Sequence, residues 1–78
     1  MTSDEQDRLA LVFGARLREV RRDRGWSQDR LAQRSGLGRT TVNRLESGRS
    51  GGMPRLCTLW RLARALEMTV SDLLLGVE

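Results

Sequence analysis

Four polar residues between positions 39 and 44 have side chains that could recognise the edges of DNA bases. They are Arg39, Thr40, Asn43 and Arg44. Arginine can pair bidentately with guanine, asparagine can pair bidentately with adenine, and threonine offers a hydroxyl and a methyl group. A solvated face, which any surface helix presents, has a similar polar composition. From the residue types alone, a surface that reads DNA bases and an ordinary solvated surface are equally good interpretations.

A pair of short helices about a tight turn is predicted to carry these residues. Ser27 is suited to cap a first helix that begins at Gln28, because its hydroxyl can accept an unpaired backbone N–H. Leu31 gives that helix an inward anchor. Gly36 suits the positive φ that a sharp chain reversal needs.

The second helix of the pair is predicted from about Arg39 to Ser47. Val42 and Leu45 are three residues apart and define its buried face. At about 100° per residue the opposite face is polar. That face holds Thr40, Asn43, Arg44 and Ser47.

The stretch from Ser27 to Gly48 resembles the helix-turn-helix of the phage repressor and Cro family, also called the xenobiotic-response-element family. The matching residues are Gln28, Ala32, Gly36, Val42 and Leu45, and Glu46-Ser47-Gly48 continues the pattern. The similarity extends from Phe13 to about Leu74. It implies an all-α, five-helix repressor-like domain spanning residues 1–78, with its helix-turn-helix at 28–47 and double-stranded DNA as its partner.

An ion pair between Arg21 and Glu46 is also predicted. Glu46 falls on the inward side of the second helix, where an unpaired carboxylate would be costly. Arg21 lies at the edge of the apolar stripe of the preceding helix. In similar repressors the residues at these two positions pair, so the resemblance implies a structural role for both.

Residues that contact DNA phosphates are expected around the ends of these helices. Helix N-termini favour anions, and the resemblance implies that Gln28 contacts the DNA backbone and braces the recognition helix. Three glycines between Gly48 and Gly52 indicate a flexible loop. The predicted phosphate contacts, or supports of such contacts, are Ser27, Gln28, Thr41, Arg49 and Ser50.

The charge distribution fits a polyanionic partner. Residues 8–64 hold all 14 arginines and only four of the acidic residues, Glu19, Asp23, Asp29 and Glu46, so this span carries a net charge of +10. The two ends of the chain are acidic. Neutralising phosphates with such a surface releases counterions, which supplies most non-specific affinity for nucleic acid. Arginine-rich codon usage is the alternative explanation for the charge.

Several classes of protein are disfavoured by what the sequence lacks. Cys57 is the only cysteine and histidine is absent, so no disulfide, metal centre, cofactor site or nucleophile–base pair is expected. The acidic start does not resemble a targeting peptide, and no apolar run is long enough to cross a bilayer. We therefore expect a cytoplasmic protein that is not an enzyme and does not associate with membranes.

The first helix is predicted to be capped by Thr2 or Ser3, with residues 1–5 frayed and regular structure from about Gln6 to Arg24. Its apolar residues recur at three- to four-residue spacing and are predicted to face the core. They are Leu9, Val12, Phe13, Leu17 and Val20.

Pro54 is suited to begin a fourth helix. The predicted inward residues of that helix are Leu56, Leu59, Leu62, Ala63 and Leu66. Thr69 is suited to cap a short fifth helix.

A homodimer through the fourth and fifth helices is predicted because apolar residues remain near the surface. The residues assigned to the interface are Trp60, Leu74, Leu75 and Val77. A two-fold pair would present two recognition helices to half-sites about one turn, ~34 Å, apart. Scattered exposure of single apolar residues is the alternative.

The sequence thus predicts a transcription regulator that binds palindromic operators as a homodimer. An antitoxin-like module that binds a partner protein, such as a toxin, and regulates its own operon is the alternative function. A small enzyme is the weaker rival, because the residues for acid–base or nucleophilic catalysis are missing.

Overall fold

Five α-helices make up the computed structural model, which describes residues 2–49 and 51–77. They are α1 (Ser3–Asp23), α2 (Gln28–Ser35), α3 (Arg39–Ser47), α4 (Leu56–Ala65) and α5 (Val70–Leu73). No strand occurs in the part of the chain that the structure describes. This architecture confirms the predicted all-α, five-helix fold.

The first helix begins earlier than the apolar pattern indicated. Thr2 is its N-cap, with Thr2 Oγ1 accepting from the Glu5 backbone N–H at 3.2 Å and Glu5 Oε1 accepting from the Thr2 N–H at 3.2 Å. This reciprocal capping box starts α1 at Ser3. Most of the segment expected to fray is therefore in a capped first turn, and its fraying in solution stays a prediction.

The core is built from buried side chains of all five helices, and it differs from the predicted stripe at two positions of α1. Val12 is 37% exposed, whereas Ala10 is only 2% exposed. The buried positions Ala10, Phe13 and Leu17 follow one helical face. Val12 lies at the edge of that face. Ala10 was overlooked because a small side chain contributes little to an apolar pattern.

Gly14 allows α1 and α3 to approach closely. A Cβ atom at this position would lie 2.5 Å from the Leu45 carbonyl oxygen and 2.6 Å from the Glu46 carbonyl oxygen. Backbone atoms cannot give way as a flexible side chain can. The absence of a side chain at Gly14 therefore sets the distance between α1 and the C-terminal half of α3.

The start of α4 differs from the prediction. Arg55 is its N-cap and Leu56 its first residue, so Pro54 precedes the helix rather than beginning it. Leu56 was predicted to face inward, but it is 71% exposed. The inward stripe starts one turn later, at the buried Leu59, because no other element covers the first turn of α4.

Thr69 caps α5 as predicted, with Thr69 Oγ1 accepting from the Asp72 N–H at 3.0 Å. Leu73, the last residue of α5, is fully buried. Arg16 on α1 donates to the Asp72 carbonyl at 2.9 Å and to the Leu73 carbonyl at 3.4 Å, which ties the end of α5 to α1. Across residues 2–49 and 51–77, no helix has the length and apolar character needed to cross a membrane.

Candidate nucleic-acid interface

The helix pair α2–α3 has the bounds that its capping residues predict. Ser27 Oγ accepts from the Arg30 backbone N–H at 3.1 Å and so begins α2. Gly36 ends α2 in the left-handed region, with φ of 74°. Gly38 is the N-cap of α3, so the chain reverses within three residues, Gly36 to Gly38.

The polar face of α3 points into solvent. Val42 is fully buried and Leu45 is 3% exposed, which leaves the opposite face of the helix uncovered. All four residues predicted to read bases are exposed there: Arg39, Thr40, Asn43 and Arg44. This geometry makes them available to a partner, whereas their roles in recognition stay predictions.

The structure brings Arg21 and Glu46 together in a buried, bidentate ion pair. Arg21 Nε donates to Glu46 Oε2 at 2.6 Å, and Arg21 Nη2 donates to Glu46 Oε1 at 2.9 Å. Arg21 Nη1 also donates to the Trp26 carbonyl at 2.6 Å. Both residues are largely inaccessible, at 7% exposure for Arg21 and 9% for Glu46. The pair therefore joins α1 to α3 and to the segment that leads into α2.

This environment keeps Arg21 charged. The hydrogen bond that Arg21 donates to Glu46 is the main cause that raises the pKa of Arg21 above its ordinary value, and the negative charge of Glu46 adds to the effect. Burial works in the opposite direction but does not cancel it. Arg21 is consequently a permanent positive partner for Glu46.

Gln28 connects this pair to the exposed face of α3. Its Nε2 donates to Glu46 Oε1 at 3.2 Å, and its Oε1 accepts from Asn43 Nδ2 at 3.3 Å. The chain Arg21–Glu46–Gln28–Asn43 thus runs from the interior to the surface. Because an amide nitrogen has two hydrogens, Asn43 keeps one donor and its carbonyl oxygen for an adenine edge.

Arg39 has a partner that the sequence analysis missed. Its Nε lies 3.2 Å from Asp29 Oδ1, and the two side chains are 70% and 66% exposed. An ion pair in such an exposed setting contributes only about 0–1 kcal/mol. Asp29 lies in the first turn of α2 and Arg39 begins α3, so their proximity depends on how the two helices cross. In this conformation the Arg39 guanidinium already has an anionic neighbour.

The predicted phosphate contacts lie around the ends of α2 and α3. The hydroxyl oxygen of Ser27 serves as the cap of α2, and its hydrogen can still donate outward. Thr41 and Arg49 are exposed. Arg49 follows Gly48, which ends α3 with φ of 74°. The fifth residue of the set, Ser50, lies outside the described residues.

A small cleft at the base of this surface includes a residue that the sequence analysis did not select. Arg18 on α1 lines it together with Gln28, Asn43, Glu46 and Ser47, and its volume is about 140 Å³. No local pattern marks Arg18, because its place beside α3 arises from the packing of α1 across the helix pair. Only a tertiary structure could have identified it.

The four residues assigned to a dimer interface differ in exposure. Trp60 is 52% exposed and Leu75 is 70% exposed. Leu74 and Val77 are half-buried and pack against the protomer's own core. Their part in a dimer stays a prediction.

Among residues 2–49 and 51–77, no group of three or more histidine, cysteine, aspartate or glutamate side chains could hold a metal ion. Cys57 is a free thiol exposed on α4.

The sequence that forms this surface matches a known protein family. The sequence profile described as "Helix-turn-helix" matches residues 17–73, which include α2, α3, α4 and α5 completely. The chain belongs to the helix-turn-helix family. This membership confirms the similarity to Cro and phage repressors that residues 28–48 carry, and it supports the expectation of a regulator rather than an enzyme.

Other helix-turn-helix proteins with similar sequences are named as transcriptional regulators. SutR of Escherichia coli is 32% identical over 65 residues, which cover 83% of this chain and 35% of SutR. A hypothetical transcription factor of Neisseria meningitidis is 39% identical over 72 residues, covering 92% of this chain and 65% of that protein. RghR of Bacillus subtilis, a transcriptional repressor, is 34% identical over 62 residues, covering 80% of this chain and 45% of RghR. The chain thus spans between about a third and two thirds of the length of these relatives.

A solved helix-turn-helix structure matches in both fold and length. The restriction-modification controller protein C.AhdI from Aeromonas hydrophila superposes with a TM-score of 0.77 and is 39% identical. The match covers 82% of this chain and 94% of C.AhdI. The matched part of this chain therefore corresponds to nearly the whole of the C.AhdI chain.

Proposed function

We propose that this helix-turn-helix protein is a transcription regulator that binds palindromic operator DNA as a homodimer. In this proposal α3 enters the major groove, where Arg39, Thr40, Asn43 and Arg44 contact bases. The observation that carries the proposal is the exposed polar face of α3, held by the buried Arg21–Glu46 pair behind it. A merely solvated helix needs no such fixed support.

Gln28 supports a specific role for Asn43. Bidentate recognition of adenine requires both polar atoms of the asparagine amide to point at one base edge. The hydrogen bond from Asn43 to Gln28 restricts the rotation of that amide before DNA is bound. Less side-chain freedom is then lost on binding, which favours affinity.

The phosphate contacts proposed for Ser27, Gln28, Thr41, Arg49 and Ser50 would set the register of α3 in the groove. The net charge of +10 over residues 8–64 supports this arrangement, since most affinity for a DNA backbone is electrostatic. Binding should therefore weaken steeply as salt concentration rises.

The dimer is supported by an uncovered groove between α4 and α5. The groove has a volume of about 380 Å³ and is lined by Trp60, Ala63, Arg64, Met68, Thr69 and Val70. Trp60 forms one wall, with the Arg64 guanidinium 5.0 Å from its ring centre. A second copy docked through this region would bury Trp60 and Leu75, and would place two α3 helices on one face of the DNA.

We propose that this regulator acts in a restriction–modification system, because the chain is similar in sequence and fold to the controller protein C.AhdI. None of the relatives named above is described as an antitoxin, and a toxin partner gains no support from them. Access to chromosomal DNA requires the cytoplasmic location predicted from the sequence, and that location is part of the proposal.

Selection of bound sequences from random duplex DNA at two salt concentrations tests the proposal. The expected result is an enriched palindrome whose half-site centres are about one helical turn, ~34 Å, apart. Binding that is sensitive to salt but enriches no sequence would mean that the basic surface binds DNA without base reading. A single enriched half-site without two-fold symmetry would contradict the dimer alone.

A further inference from the structure

We infer that Arg18 on α1 is a DNA phosphate contact that extends the interface beyond the helix-turn-helix. This inference rests on the proposed function, because it assumes that α3 faces DNA. Its basis is separate: it depends on where α1 crosses the helix pair and on which arginines of α1 already have partners.

Arg18 lies on α1, next to the exposed face of α3. In the cleft of about 140 Å³ it faces Asn43 and Ser47 of α3 and Gln28 at the start of α2. Those three residues surround the point where the DNA backbone would pass beside a helix lying in the major groove. Arg18 is itself exposed, so its guanidinium can reach outward from the cleft.

The arginines of α1 differ in what they bind. Arg16 is bound to Glu19 at 3.0 Å and to two carbonyl oxygens near α5. Arg21 is buried against Glu46. Arg18 lies between them in the sequence, yet it has no hydrogen-bond or ion-pair partner among the residues that the structure describes.

The charges around Arg18 leave it available for an external anion. The acid that lines the small cleft is Glu46, whose carboxylate already accepts from Arg21 and Gln28. A neighbouring groove of about 400 Å³ adds Glu19 and Asp23, together with a second arginine, Arg22. Glu19 is bound to Arg16, and Arg22 and Asp23 carry opposite charges, so this groove adds no excess of negative charge beside Arg18.

A phosphate fits this position better than a base edge does. A guanidinium pairs bidentately with phosphate oxygens, and it does so without regard to sequence. Arg18 lies on α1 and not on the exposed face of α3. In the proposed complex it would therefore face the sugar–phosphate backbone at the side of the DNA major groove and not the base edges. Arg18 and Gln28 would then approach the backbone from either side of the same cleft.

The salt dependence of binding by an Arg18→Ala variant tests this inference. Loss of one phosphate contact should reduce the slope of log K against log salt by about 0.9, with equal weakening on every base variant of the site. Arg61→Ala is the matched control, because Arg61 is an exposed arginine on α4 that lines a groove away from α3. Its loss removes the same charge without a contact and should leave the slope nearly unchanged.

Three outcomes would overturn the inference. These are an unchanged slope for Arg18→Ala, a slope change equal to that of Arg61→Ala, or a change of preference at one base position. An Arg18→Lys variant, which keeps the charge, should retain most of the slope, and matching melting temperatures would exclude misfolding. The slopes are measured on both the selected duplex and a random duplex. If the wild type prefers no sequence, the proposed function fails, yet the random duplex still decides the role of Arg18.

Discussion

Single side chains of this protein divide into those that hold the recognition helix and those that face outward from it. Glu46 accepts hydrogen bonds from Arg21 and Gln28, and Gln28 accepts from Asn43. The interior pair therefore positions a surface amide through one intermediate side chain. Asp29 differs from these residues, because its ion pair with Arg39 is exposed to solvent.

Replacing Glu46 by alanine should destabilise the fold by about 3–5 kcal/mol, because Arg21 would remain buried without a partner. Chemical denaturation measures the change in the free energy of unfolding. Glu46→Gln separates charge from shape, since the amide keeps the volume but loses the ion pair. If Glu46→Ala unfolds at the wild-type denaturant concentration, the pair does not stabilise the fold.

The same pair predicts how stability depends on alkaline pH. Because the pKa of Arg21 is raised in the folded state, its contribution is fully present below the ordinary arginine pKa and is lost only as pH rises through the raised value. Titration of Arg21 should therefore cause no loss of stability from neutral to moderately alkaline pH. Denaturation curves across that range, compared with Glu46→Gln, measure this expectation.

Replacing Asp29 by asparagine should strengthen DNA binding, because it frees Arg39 from its exposed ion pair and removes a negative charge beside the DNA. The pair is worth about 0–1 kcal/mol, so freeing Arg39 should raise the affinity by no more than about fivefold, and the gain should fade at high salt. Titration of duplex DNA at two salt concentrations measures it. Asp7→Asn on α1 is the control, since it alters the net charge equally without touching Arg39. Equal affinities for the two variants would mean that Asp29 does not restrain Arg39.

The spacing of the helices depends on one small residue in α1. Gly14 faces the backbone of α3, and a Cβ atom there would lie far inside contact distance of two carbonyl oxygens. Helix propensity argues for alanine at such a position by about 1 kcal/mol. Packing disfavours alanine, because its Cβ would clash with the backbone of α3. The short distances indicate that this clash costs more than the gain in helix propensity.

Gly14→Ala should therefore destabilise the protein by about 1–3 kcal/mol, despite the better helix propensity of alanine. It should also weaken DNA binding, because α3 would shift relative to α1 and Gln28. Ala15→Gly is the matched comparison: Ala15 is exposed, so the change should cost only the propensity difference and leave DNA affinity unchanged. Thermal unfolding and DNA titration of both variants measure these effects, and a Gly14→Ala protein more stable than wild type would contradict the close approach.

The whole molecule combines a basic middle with an apolar region that one protomer leaves uncovered. The arginines lie between residues 8 and 64, and the acidic residues are concentrated towards both ends. Trp60 and Leu75 are exposed beside α4 and α5. In the proposed complex, this separation would let one surface contact DNA while another contacts a second copy.

Replacing Leu75 by glutamate should shift the protein to monomers and reduce operator affinity, because a buried unpaired charge would oppose the interface. Leu11→Glu serves as the control. Leu11 is also an exposed leucine, at 58%, but it lies on α1 beside Gly48 and away from α5. Sedimentation equilibrium without DNA measures the oligomeric state. Dimers of Leu75→Glu as stable as those of Leu11→Glu would exclude Leu75 from the interface.

The sequence by itself determined the five helices, the bounds of α2 and α3, and which face of α3 is exposed. These features depend on capping residues, on Gly36 and on apolar spacing within a few residues, which are local properties. It also determined the family, because the spacing from Gln28 to Leu45 is specific. The pairing of Arg21 with Glu46 came from that resemblance and not from local chemistry.

The tertiary structure decided what depends on how helices cross. Four features join residues on different helices. They are the Arg39–Asp29 ion pair, the hydrogen bond between Gln28 and Asn43, the close approach of α1 and α3 at Gly14, and the position of Arg18 beside α3. The errors at Val12 and Leu56 have the same cause, since an apolar side chain is buried only where another element covers it. Periodicity describes one helix at a time, whereas burial and contact are properties of the assembled set.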